Sequence, residues 1–110
     1  MEVRIDDPPS ANILGLFLAS ALRRNLVERG KSCALRGALV VDADGMRAAV
    51  RFEEHAAVVA RDADAPAVTL RGPLPVLVRA LARPGLFTLL RVKVRGSRLF
   101  ALKAMRVLAP

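Results

Sequence analysis

Tryptophan and tyrosine are absent from this sequence, and phenylalanine occurs only four times. Proteins that grip single-stranded nucleic acid stack bases on aromatic faces, so that mode of binding has little to work with here. There is one cysteine, Cys33, and one histidine, His55. A lone cysteine allows no internal disulfide, which fits a reducing cytoplasm. The two residues make no metal-ligand cluster and no visible nucleophile–base pair. Cys33 reads as structural and His55 as a solvated turn residue. No metal, cofactor or catalytic constellation is expected, and the chain reads as non-enzymatic. The apolar stretch Ile13 to Leu22 holds ten residues, about half of what a membrane-spanning helix needs. Glu2, Asp6 and Asp7 are unlike the basic start of a secretory signal. Asp42, Asp44 and Glu53 stand at positions 1, 3 and 12 of a calcium loop, but Met46 and Arg47 fill positions 5 and 6, and the sixth must be glycine.

What the chain does have is aliphatic bulk and positive charge. Hydrophobic residues make up 54% of 110 positions, mainly Ala, Leu and Val, and the net charge is +8. That length suits one domain with one core. The charge points toward an acidic partner or an anionic membrane surface. The arginines are scattered rather than blocked, so no specific nucleic-acid site is expected.

Residues 1–9 read as an extended arm ending at Pro8 and Pro9. Ser10 is the expected N-cap of a helix running to about Arg29, closed by Gly30. The first half of that helix is apolar almost all round: Ile13, Leu14, Leu16, Phe17 and Leu18 cover most directions. Such a helix needs cover on more than one side, from a neighbouring helix, a ligand or a dimer partner. A strand near Ala34–Val41, a turn at Asp42–Gly45 and a strand Met46–Glu53 form a hairpin, with Met46, Ala48, Val50 and Phe52 on one face. A third strand, Ala56–Arg61, and a fourth, about Ala67–Arg71, follow. Pro75 sits in the first turn of a helix with Leu74, Leu77, Val78 and Leu81 inward. Near the end, Leu90, Val92 and Val94 alternate with Arg91, Lys93 and Arg95, giving a fifth strand that Gly96 breaks. A last helix then stacks Phe100, Ala104 and Leu108, with Ala101, Met105 and Val107 beside them. Leu99 and Leu102 fall on its charged side as surplus. The class is α+β, with helices on one face of a largely antiparallel sheet.

The leading apolar helix Asn12–Arg29, the hairpin Gly37–Glu53 with its Asp-Gly turn, and the run Ala67-Val68-Thr69-Leu70-Arg71-Gly72 before a Leu-rich helix carry a resemblance. So does Arg91-Val92-Lys93-Val94-Arg95-Gly96 followed by Leu99-Phe100-Ala101-Leu102-Lys103. Together they resemble the sterol carrier protein type 2 family of lipid-binding domains, over about residues 12 to 108. The resemblance implies a five-stranded, mainly antiparallel sheet with helices on one face and an apolar tunnel between the layers. It would hold a fatty acid, acyl-CoA, sterol or similar lipid. In this sequence the tunnel would be lined by Leu14, Phe17, Leu18 and Leu22 of the first helix, and by Val50 and Phe52 of the hairpin. Leu77 and Leu81 of the second helix, Leu86 and Phe87 of the connector, and Phe100, Met105 and Leu108 of the last helix would complete it. Pro84-Gly85 stands where relatives often carry a further helix. The competing reading is an interaction domain that uses the surplus apolar helix surface for a homodimer or for docking on a lipid-pathway complex.

Overall fold

Two residues set the hairpin at the centre of the sheet. Asp44 and Gly45 have φ of 54° and 91°, the pair of positive values that a tight two-residue hairpin turn requires. The Asp42 carboxylate locks the turn by accepting from the Gly45 amide at 3.0 Å. The strands it joins are β2 (Gly37–Ala43) and β3 (Met46–Phe52), paired in register from Ala43 opposite Met46 to Gly37 opposite Phe52. The computed structural model describes residues 2–5, 12–30, 35–82 and 92–108. Around the hairpin stand β1 (Glu2–Ile5), β4 (Ala56–Ala60), β5 (Val68–Gly72) and β6 (Lys93–Gly96). The helices are α1 (Ile13–Leu22), extended by a π-helical segment Arg23–Glu28, then α2 (Leu74–Ala82) and α3 (Arg98–Leu108).

The expected five-stranded, mainly antiparallel sheet is instead a six-stranded mixed one in the order β1-β4-β3-β2-β5-β6. Two of its five pairings, β1 with β4 and β2 with β5, are parallel. The extra strand comes from the expected N-terminal arm. Glu2–Ile5 pairs with Ala56–Val59, and Val3 and Ile5 turn inward onto the core. A four-residue alternation beside acidic residues is too short to announce a strand, since pairing rather than propensity decides it. Of the last expected strand, the described part is β6, Lys93–Gly96, with Val92 buried ahead of it; Leu90 and Arg91 lie outside the described residues.

Period-two alternation divides the sheet's faces. Leu39, Val41, Ala48, Val50, Phe52, Ala57, Val59, Val68 and Leu70 face the helices and join one cluster with α1, α2 and α3. α1 lies over β3 and β4, whereas α2 and α3 lie over β5 and touch each other. The opposite face carries no helix among the described residues. Small side chains there, Val40, Ala49 and Val58, are still buried, because they sit between rows of arginine whose long stems cover apolar floor. Gly96 ends β6 with φ of 107°, and a Cβ at that position would run into the Ala67 carbonyl oxygen. Only glycine fits that approach. Ser97 then starts α3, its hydroxyl accepting from the Phe100 amide at 3.1 Å.

Candidate functional site

The candidate apolar site is the layer between the sheet and the helices. Asn12 fixes the entry of α1. Its side chain accepts from the Gly15 amide and donates to the Arg47 carbonyl of β3, both at 2.8 Å. The N-cap is therefore Asn12, and Ser10 lies outside the described residues. From that anchor Leu14, Leu18 and Leu22 project at helical spacing into the core, where Val50, Phe52, Leu77, Met105 and Leu108 meet them. Phe100 is half-buried at the edge of the same cluster, its ring set edge-on to Phe52 with centroids 6.2 Å apart. The layer thus brings together nine of the thirteen residues expected to line a tunnel. Phe17 points outward, outside this cluster. The Leu81 side chain, Leu86 and Phe87 lie outside the described residues, as does Cys33. His55 is exposed in the turn before β4.

The expected internal tunnel is corrected on one point: no enclosed apolar cavity lies among the described residues. Met105 and Leu108 are buried in the packed layer, and the part of the expected lining at Leu81, Leu86 and Phe87 lies outside the described residues. Protein interiors close-pack wherever aliphatic side chains can interdigitate, and flexible Met is well suited to fill gaps.

α1 is apolar on two sides. Beyond its buried face, Ile13 is 72%, Leu16 52% and Phe17 37% exposed. These positions recur at i, i+3 and i+4, so they form one outward patch, and Val27 adds a further exposed aliphatic on the π segment. Leu99 is likewise exposed on α3, as its place on the charged side implies. The described elements leave this side of α1 uncovered.

The π segment does a structural task that the sequence does not announce. Its wide turn, closed by the Arg29 amide on the Arg24 carbonyl at 3.0 Å, carries Asn25 into the interior. Asn25 Nδ2 donates to the Val107 carbonyl at 2.6 Å, and Arg24 Nη2 donates to the Leu108 carbonyl at 3.2 Å. These are last-turn carbonyls of α3, which have no partner within their own helix. Two side chains of the first helix thus cap the last one and lock the helix layer together.

Among the described residues no group of three or more His, Cys, Asp and Glu could hold a metal ion. No described helix is long and apolar enough to cross a membrane.

The architecture has a counterpart among solved structures. A protein described as "UbiJ-SCP2 Ubiquinone synthesis protein" matches over 87% of this chain and 86% of its own, with a TM-score of 0.57 and 20% sequence identity. No family model matches the sequence, and the comparison with curated proteins finds no significant match. The likeness is one of fold, and the fold is that of the sterol carrier protein type 2 domain.

Proposed function

We propose that this chain is a non-enzymatic lipid-binding domain that holds an acyl chain, sterol or similar apolar molecule on its helix layer. The observation that carries the reading is α1: a helix apolar all round, with one face in the core and the other uncovered. A lipid supplies the missing cover without asking for any precise polar partner, in keeping with a site made of Leu, Ile, Val, Met and Phe. Each methylene moved from water onto such a surface gains about 0.8 kcal/mol. A long chain therefore gains on the order of 10 kcal/mol before ordering and association costs are subtracted. The ligand meets Ile13, Leu16 and Phe17 first. Parting α1 from the sheet would add Leu14, Leu18 and Leu22, with Phe100, Met105 and Leu108 opposite them. The sterol carrier protein type 2 fold supports the same reading.

Native mass spectrometry of the purified chain tests it. A copurified lipid mass that organic extraction removes is the expected result. A clean homodimer with no adduct, its interface mapping to Ile13, Leu16 and Phe17, would replace the lipid by a second copy of the chain.

A further inference from the structure

We infer that the helix-free face of the sheet carries a phosphate-binding cleft at its β5–β6 end. The sheet register assembles it. Asp42 of β2 stands opposite Arg47 of β3 on one side and Arg71 of β5 on the other. Arg71 stands opposite Lys93 of β6, and Thr69 opposite Arg95. Alternation turns all of these away from the core-facing Val41, Leu70 and Ala48. Arg47, Thr69, Arg71, Lys93, Val94 and Arg95 line an open cleft of about 390 Å³, within the usual size of a small-molecule site.

Electrostatics distinguishes this end of the face from the other. Toward β1 the arginines of this face have carboxylates: Arg4 meets Glu2 and Glu53, and Arg51 meets Glu53 at 2.8 Å. In the cleft, Asp42 meets Arg71 at 3.3 Å and Arg47 at 3.8 Å, and Asp62 meets Arg47 at 3.0 Å. Four cations against these two carboxylates leave two positive charges. The side chains of Lys93 and Arg95 have no hydrogen bond or ion pair among the described residues. The Asp42 side chain is only 10% exposed and is itself held by the Gly45 amide, so it acts as a fixed strut that positions the two guanidinium groups. The two strut-held arginines, the Lys93 and Arg95 side chains and the Thr69 hydroxyl match a phosphate group, whose several oxygens accept charge-assisted hydrogen bonds from such donors. The sheet lies between this cleft and the helix layer, so the inference stands independently of the lipid reading. The phosphate belongs either to a soluble phosphate ester or to a phospholipid headgroup at a bilayer surface.

The test titrates inorganic phosphate and glycerol phosphate into the full chain, followed by backbone amide shifts at low ionic strength. In a parallel arm the chain is sedimented with phosphatidylcholine vesicles with and without phosphatidylglycerol. Amide shifts confined to β5, β6 and the Arg47 region are expected. Lys93→Ala with Arg95→Ala should weaken phosphate binding by about tenfold or more. Arg98→Ala with Lys103→Ala removes the same charge from α3 and should change it by less than about twofold. Loss of vesicle binding in the cleft variant alone would identify the headgroup as the source. Vesicle binding equal in both variants, with phosphate-ester binding lost only in the cleft variant, would identify a soluble ester. Equal weakening of every ligand by both variants, or amide shifts spread over all the cations, would reduce the effect to net charge and overturn the inference.

Discussion

Replacing Asn25 by alanine should unlock the helix layer. Asn25 has no exposed surface, and its 2.6 Å bond to the Val107 carbonyl joins segments more than eighty residues apart in the chain. In Asn25→Ala that carbonyl, in the last turn of α3, loses its donor in a place water does not reach. A buried polar group left unsatisfied costs about 1–3 kcal/mol, and the space vacated by the amide adds to the loss. A destabilisation of about 2 kcal/mol, or roughly 10 °C in Tm for a domain of this size, is expected. Asn25→Asp should be at least as damaging, because it sets a carboxylate oxygen against the same carbonyl. Urea unfolding with an unchanged m-value measures the difference directly. A loss below about 0.5 kcal/mol, the range of an ordinary surface substitution, would refute the capping argument.

Gly96→Ala should cost at least about 1 kcal/mol by thermal melting, since its backbone is left-handed and the added Cβ meets the Ala67 carbonyl. Met105→Trp enlarges a fully buried side chain and should cost about 1–3 kcal/mol by overpacking. If fatty-acyl binding opens the helix layer there, a saturating fatty acid should narrow the gap, whereas Lys103→Ala on the exposed side should alter neither stability nor binding. The melting temperature should not move in chelator, because none of the described side chains forms a metal-ligand cluster.

The apolar layer was legible because helix and strand periods both declare their inward faces. Leu14, Leu18 and Leu22 recur at helical spacing, Val50 and Phe52 at spacing two, and both sets end in one cluster. The Asp-Gly turn and the break at Gly96 were equally readable, since each needs positive φ. Its place among Arg23, Arg24, Glu28 and Arg29 puts Asn25 on the outer side of the helix, yet the structure buries it, because its partner, the Val107 carbonyl, is distant in sequence and belongs to the backbone, which carries no side-chain signature. The Glu2–Ile5 strand depends on a parallel pairing with β4 that no local pattern encodes. Arg47, Arg71, Lys93 and Arg95 look like scattered charges in the chain. They become neighbours only when the order β3-β2-β5-β6 is known. An apolar lining and a packed core use the same side chains, so the sequence alone does not distinguish a tunnel from the close-packed layer that Met105 and Leu108 join.

A fluorescent fatty acid titrated into the delipidated chain, and into a Leu16→Gln, Phe17→Gln variant, tests the central claim most directly. Both positions are exposed, so the variant should keep its melting temperature within a few degrees, consistent with a change of about 0.5 kcal/mol or less. The lipid-binding account predicts saturable one-site binding to the unaltered chain, displaced by unlabelled fatty acid and weakened about tenfold in the variant. Absence of saturable binding to the delipidated chain, or equal affinity in chain and variant, would contradict it.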